Sequence, residues 1–389
     1  MATLEITGVT TRYGKVVGVE DLDLSVGDGE FFVVLGPSGA GKTTTLKSVA
    51  GLVDIDAGRV AIAGRDLTGV EPYHRNVAMA FESYALYPQK TVFENLASPL
   101  RSGRTGSYSK ADQERRIELV TTTLGINHLL QRFPRELSNG QRQRVALGRV
   151  LVRPADVYLL DEPLSHLDAK LRAAMRAELK QLGEESNTTA LYVTHDYQEA
   201  LDLGERIAVL RHGRLVQVGT PEQIWREPAD TFVAKALGQP EINLLDAVVD
   251  DGSLVGAGAG GAVAVPVPAG LDLAAGERVR LGIRPRDIDR AGPDDRPAPG
   301  HLAVRGRVHL AERLGRLVEL AVHVGDTELI MVASSDHAAE EGDLVDLHVD
   351  LADVHVFAAG APGEDTPRLG GGVPRQRRPA EEPATGRAR

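Results

Sequence analysis

Three stretches of the chain carry residue types that could do chemistry on a phosphate. Gly36-Pro37-Ser38-Gly39-Ala40-Gly41-Lys42-Thr43 fits the phosphate-loop pattern G-x-x-x-x-G-K-[ST]. Its glycines let backbone N–H groups converge on phosphate oxygens, and a helix beginning near Lys42 adds the partial positive charge of its N-terminus. Lys42 would pair with the terminal phosphates and the Thr43 hydroxyl would ligate Mg²⁺. A glycine turn with an incidental lysine does not account for the apolar run before it and the helical pattern after it, so the pattern predicts binding of a nucleoside triphosphate. Such a loop needs a second carboxylate for its metal at the end of a neighbouring buried strand. Val157-Tyr-Leu-Leu-Asp161-Glu162 offers four apolar residues followed by two acids. Asp161 suits the Mg²⁺ shell, and Glu162, pointing elsewhere, suits a general base that polarises the attacking water. By itself an apolar run ending in Asp-Glu reads as a strand meeting solvent; the phosphate loop upstream reverses that. His195 follows the apolar run Ala190 to Val193 and, taken alone, reads as a structural histidine.

The elements that must position these residues alternate short apolar runs with helical patterns up to about Gly238, the sign of an α/β layer fold. Phe31 to Leu35 reads as a buried strand entering the glycine loop. Further strands are expected at Val157 to Leu160, Ala190 to Val193, Ile207 to Leu210 and Leu215 to Val218. Between about 83 and 152 strand signals stop and a helical insertion is expected, with one helix capped by Ser109 and Asp112 and burying Ile117, Val120 and Leu124. Asp168 can cap a later helix whose stripe is Leu171, Met175, Leu179 and Leu182. After about Asn243 the texture changes to short alternating segments, Val279 to Ile283, Val304 to Leu310, Leu317 to Val322 and Leu329 to Val332, which predict a small β barrel or sandwich. The 292–300 stretch reads as a long loop. From Gly360 the chain is rich in Pro, Gly and charge and reads as a disordered tail, whose Arg375, Arg377 and Arg378 are offset by Glu381 and Glu382.

The 389 residues carry a net charge of −11 and no cysteine. An acidic surface argues against general nucleic-acid binding, and the missing thiols exclude disulfides, thiolate metal sites and a cysteine nucleophile. No run approaches the ~18 apolar residues of a spanning helix, so a membrane role would go through a partner.

Leu137-Ser138-Asn139-Gly140-Gln141 stands just upstream of the acidic pair. With the phosphate loop, Asp161-Glu162, Leu164-Ser-His-Leu-Asp168 and Thr194-His195-Asp196 in this order, the chain resembles the ATP-binding subunits of ABC transporters over about residues 3–240. The resemblance implies a P-loop NTPase core (3–238) with a helical subdomain (about 83–152), an all-β OB-like domain (239–358) for regulation and dimerisation, and the tail 359–389. It implies ATP and Mg²⁺ as ligands, with Tyr13 stacking on adenine, Gly36 to Thr44 around the phosphates, and Asp168 and Gln141 among the nucleotide contacts. It implies a switch role for His195, which contacts the γ-phosphate, and a head-to-tail dimer in which Ser138 and Gly140 serve the nucleotide of the opposite subunit. Where most of the family has a metal-ligating glutamine this chain has Glu82, an oxygen ligand with an added negative charge. The expectation is that Glu82 still ligates Mg²⁺.

Tyr84-Ala-Leu-Tyr-Pro88, Gly219-Thr-Pro-Glu-Gln-Ile-Trp-Arg-Glu-Pro228, Gly238-Gln-Pro-Glu-Ile-Asn243 and Leu281-Gly-Ile-Arg-Pro285 are similar to the importer subgroup and its carbohydrate branch. This implies a peripheral ATPase on the cytoplasmic face of the membrane, contacting permease subunits through Glu82 to Pro88 and an extracellular solute-binding protein indirectly. The same ATPase serving polyamine, sulfate or ferric-iron import, a non-transport ABC ATPase, and a chiefly regulatory binding protein are the competing readings.

Overall fold

The structure, a computed structural model, describes residues 2–81, 86–101, 108–165, 167–186, 188–256, 263–291, 300–335, 339–361 and 363–372. The chain packs as two compact units, Met1–Pro221 and Glu222–Arg389. Along the first run β1 (Leu4–Tyr13), β2 (Val16–Val26), β3 (Phe31–Leu35), α1 (Lys42–Ala50), β4 (Ala57–Ile62), β5 (Arg65–Asp66), β6 (Val77–Ala80), α2 (Val92–Arg101), α3 (Lys110–Thr123), α4 (Asn139–Leu151), β7 (Val157–Asp161), α5 (Ala169–Ser186), β8 (Ala190–Thr194), α6 (Tyr197–Leu203), β9 (Arg206–Arg211) and β10 (Arg214–Gly219).

Strands β9, β3, β8, β7 and β6 lie parallel in that order, with β10 antiparallel at the edge beside β9. Every residue of β3 and β8 is buried, as expected of strands covered on both faces, which therefore read as unbroken apolar runs. A second, antiparallel sheet of order β2-β1-β4-β5 shares one core with α1 and the parallel sheet, through Leu22, Leu24, Leu46, Val49, Val60, Phe32 and Leu191. The expected helices between β6 and β7 are α2, α3 and α4. Ser109 Oγ accepts the Asp112 N–H at 3.1 Å and starts α3, and Asp168 Oδ1 accepts the Leu171 N–H at 2.9 Å to start α5. Met175 and Leu179 are buried; the side chain of Leu182 lies outside the described residues.

The second unit starts one residue into α7 (Pro221–Arg226) and continues with α8 (Thr231–Ala236), β11 (Asn243–Asp250), β12 (Ser253–Gly256), β13 (Ala264–Pro266), β14 (Arg278–Ile283), β15 (Ile288–Arg290), β16 (His301–Leu314), β17 (Leu317–Val324), β18 (Thr327–Ser334), β19 (Leu344–Asp350), β20 (His355–Ala358) and β21 (Arg368–Gly371). Two antiparallel sheets, β13-β12-β11-β14-β20-β21 and β15-β19-β16-β17-β18, enclose a single core. Along β16 exposed and buried residues alternate from His301 to Val308, the period of a strand with one face on the core. Asn243 ties the two sheets together: its Nδ2 donates to the carbonyls of Ile283 (3.0 Å) and Ile330 (2.8 Å), and its Oδ1 accepts the Ile330 N–H at 2.7 Å.

The expected tail starts too early. Residues up to 372 are built into the second unit, with β21 pairing to β20. The physical reason is polar, not apolar. Arg280 donates to the carbonyls of Gly360, Ala361 and Glu364 at 2.6 to 2.9 Å, and the N–H of buried Thr366 donates to the Thr231 hydroxyl oxygen at 2.9 Å. Helices α7 and α8, read above as part of the ATPase domain, pack here as well: Arg226 pairs with Asp353, and Arg284 stacks over the Trp225 ring at 3.9 Å. The 292–299 stretch and everything from 373 lie outside the described residues.

Candidate functional site

In the parallel sheet Leu35 is level with Thr194, and Asp161 with Val193. The residues that leave the sheet next, Gly36, His195 and Glu162, therefore emerge side by side at the carboxyl ends of β3, β8 and β7. This edge is where open parallel sheets hold ligands. The Gly36 N–H reaches the Thr194 carbonyl at 3.4 Å and the Glu162 N–H the Val193 carbonyl at 3.0 Å. The cleft above this edge measures about 760 Å³ and is lined by Tyr13, Val16 to Gly18, Pro37 to Thr44, Glu162 and His195.

The loop needs its glycines. Gly41 has φ of 103°, and a Cβ there would stand 2.6 Å from the Gly18 carbonyl oxygen. Gly41 is also the N-cap of α1, with no side-chain cap and no acid in the first turn, so the free N–H groups face the cleft as an anion site. Lys42 is only 6% exposed. Its Nζ donates to the carbonyls of Gly36 (2.8 Å) and Pro37 (3.0 Å) and lies 3.3 Å from Glu162 Oε1, the partners that a buried cation requires. The Thr43 hydroxyl donates to Asp161 Oδ1 at 3.0 Å across 118 residues of sequence. This hydroxyl and carboxylate are a hard oxygen pair that fits Mg²⁺. Glu162 takes φ of 43°, a left-handed conformation that turns it away from its neighbour. Its Oε2 sits 2.7 Å from His195 Nδ1. The carboxylate is thus held between a lysine and an imidazole on the wall of the cleft, an arrangement that suits a proton acceptor.

Behind His195 lies a buried support that the sequence reading missed. Tyr192 Oη and Thr194 Oγ1 both donate to Glu199 Oε2 at 2.8 Å, and the Asp196 N–H reaches Thr194 Oγ1 at 2.9 Å. Burial raises the Glu199 carboxyl and the Tyr192 phenol above their ordinary ranges. Arg172 pairs with Asp196 at 3.1 Å and anchors the far side of the loop. The spacing Asp196-x-x-Glu199 at a helix start was the available signal. Val16, Val17 and Gly18 were missed as well, though Tyr13-Gly14-Lys15 between two alternating runs marks the hairpin that carries them.

Other expected site residues stand apart from this cleft. Ser138 and Gln141 satisfy each other: Ser138 Oγ accepts the Gln141 N–H at 3.3 Å and Gln141 Oε1 accepts the Ser138 N–H at 3.0 Å, a capping box that starts α4. Gly140 lies in the same turn, beside Leu167 and Leu171, and Asp168 caps α5. Gln143 Nε2 donates to the Pro163 carbonyl, so α4 is tied to the residue after Glu162. Glu82, with Ser83 to Ala85, and His166 lie outside the described residues. Tyr87 is 42% exposed, with Lys90 and Arg149 over its ring at 4.5 and 5.0 Å.

Two family models match the chain, ABC transporter over residues 19–165 and TOBE domain over 281–357. The trehalose/maltose import ATP-binding protein of Thermococcus litoralis is 42% identical over 367 residues, covering 92% of this chain and 98% of that relative. The sn-glycerol-3-phosphate import ATP-binding protein of Cereibacter sphaeroides is 43% identical over 361 residues with the same coverage. A solved dimeric structure of a bacterial ABC transporter cassette is 29% identical and covers 56% of this chain and 98% of its own, with a TM-score of 0.52.

Proposed function

This chain belongs to the ATP-binding subunits of ABC transporters, and from that premise we propose that it is the ATPase that energises an importer of sugars or sugar derivatives. It binds and hydrolyses ATP. The observation that carries the reading is the meeting of Lys42, the Thr43–Asp161 pair and the Glu162–His195 pair in one cleft at three adjacent strand ends. Lys42 and the N–H groups of the loop and α1 bind the phosphates. Glu162 accepts the proton of the attacking water; His195 holds the carboxylate in place at 2.7 Å and would contact the γ-phosphate of a bound nucleotide. Thr43 and Asp161 would hold Mg²⁺, with Glu82 as a further expected oxygen ligand; bound there, the ion would neutralise charge developing on the phosphates. Tyr13, 48% exposed at the rim of the cleft, offers a flat face to adenine.

Ser138, Gly140, Gln141 and Asp168 stand outside their own chain's cleft, which supports a head-to-tail dimer in which they meet the nucleotide of a second subunit, identical or homologous. The cassette solved as a dimer supports the same reading. Among the described residues no helix is long and apolar enough to cross a membrane. The subunit acts at the cytoplasmic side through a permease, whose contact is the Glu82 to Pro88 region, with exposed Tyr87 as one anchor. The relatives' printed cargoes, trehalose/maltose and sn-glycerol-3-phosphate, are both polyhydroxylated, which supports the carbohydrate class.

The test is purification of the tagged chain from detergent-solubilised membranes. Two permease subunits should accompany it, and ATP turnover of the assembly should rise when a sugar-loaded solute-binding protein is added. Recovery of an active ATPase free of any membrane protein would overturn the importer reading.

A further inference from the structure

Three ligating side chains meet on the outer face of the second unit, far in sequence from the nucleotide site. His309 lies on β16, His323 on β17 and Glu328 on β18. His323 and Glu328 are directly opposite in the β17–β18 ladder, with Nε2 and Oε2 3.4 Å apart. An ordinary cross-strand pair would account for those two alone. It does not account for His309. The register of β16 against β17 slips between Val308 and Leu310, so His309 is the extra residue of a bulge, and bulges re-aim a side chain. Here the bulge lays the His309 ring on the His323 ring, with centroids 4.6 Å apart and planes 10° from parallel. One ligand atom from each of the three residues lies within 4.8 Å of the others. The neighbouring cation turns away, since Arg307 donates to the Gly342 carbonyl at 2.7 Å.

We propose that His309, His323 and Glu328 form a binding site for a transition-metal dication of the Zn²⁺ class. Two imidazoles and a carboxylate with an open position suit a borderline metal that takes nitrogen, and they discriminate against Mg²⁺ and Ca²⁺, which take oxygen. At Zn–N distances of about 2.0–2.1 Å the donors of a tetrahedral site stand roughly 3.4 Å apart. All three residues are exposed, so turning one ring out of the stack and drawing the donors inward moves no packed atom. The ion would staple β16, β17 and β18 together and couple the second unit to metal supply.

Zn²⁺ is titrated calorimetrically into the full-length, chelator-treated protein without nucleotide, in millimolar Mg²⁺ so that oxygen sites are occupied. One Zn²⁺ per chain is expected, with at least tenfold weaker binding in His309→Ala and in His323→Ala and a smaller loss in Glu328→Gln. Circular dichroism and basal ATP turnover should be unchanged in all three, since these side chains lie on the surface. Failure of the wild-type chain to bind Zn²⁺, or equal binding by wild type and both histidine variants, would overturn the site.

Discussion

Helices α1 and α4 both begin at glycine-containing segments that the sequence assigns to phosphate, and they begin differently. At α1 the N-cap is Gly41 in a left-handed conformation, with no side chain taking up the first N–H groups. At α4 the N-cap is Ser138, whose hydroxyl and backbone N–H are both engaged by Gln141. A helix N-terminus left open is an anion site in its own right, whereas one closed by its own side chains already has part of its end groups satisfied. The first is surrounded by Lys42, Glu162 and His195 in a cleft; the second faces none of them. One chain thus carries an open helix start inside the cleft and a separate, self-capped helix start outside it.

Glu162→Gln tests the first half with the largest expected effect. Turnover should fall by about 10²–10⁴, the usual worth of a general base, while ATP binding persists and the ATP-bound dimer accumulates. Single-turnover hydrolysis and gel filtration with ATP measure both, and unchanged turnover would remove Glu162 from the chemistry.

The pH window for such comparisons is set by the second unit. Buried His355 lies among Arg284, Arg368 and Arg226, and burial first, then those charges, lowers its pKa to about 3. The unfolded imidazole takes a proton near 6.5 and the folded one does not. Stability is therefore fully present above 6.5 and is lost as pH falls toward 3, at up to ~1.4 kcal/mol per pH unit. Urea melts at pH 7 and 4.5 should differ by up to about 3 kcal/mol from this group, and His355→Gln should flatten that part of the slope.

Glu199→Ala removes the acceptor to which the hydroxyls of Tyr192 and Thr194 donate in the interior, at about 1 kcal/mol each. Loss of about 2 kcal/mol in the melt of the first unit, with lower kcat and little change in KM, would follow from a role in holding His195; Glu199→Gln should restore most of it.

Ser138→Ala carries the smallest effect and bears on the second half of the comparison. Loss of the cap costs ~1 kcal/mol of stability, and ATP-driven dimerisation should weaken. The affinity of the isolated monomer for ATP should not move. A drop in monomer affinity would mean that Ser138 serves its own chain, and the contrast between the two helix starts would fail.

Much of the site was legible because it is local. Gly36 to Thr43 occupies one loop and one helix turn, and Asp161-Glu162 one strand end, so spacing alone was enough to place them. The bonds from Tyr192 and Thr194 to Glu199, beside His195, and the cleft wall of Val16 to Gly18 were not legible. A buried Glu next to a helix start looks like any capping residue until its partners are known, and exposed valines look like an ordinary strand. The tail was misread for a related reason: Gly360 to Gly372 has little to bury and is held by Arg280 and Thr231, whose distance in sequence conceals the bonds.

From the sequence by itself came a phosphate loop, an acid pair, the Leu137 to Gln141 motif and a β domain after it, since each rests on neighbours within a few residues. Only the tertiary structure decided that these parts converge. The order β3-β8-β7 in the parallel sheet brings Gly36, His195 and Glu162 to one edge, and strand order is a property of long-range packing that no local pattern encodes. The same holds for His309, His323 and Glu328, three surface residues whose meeting depends on a bulge and a register.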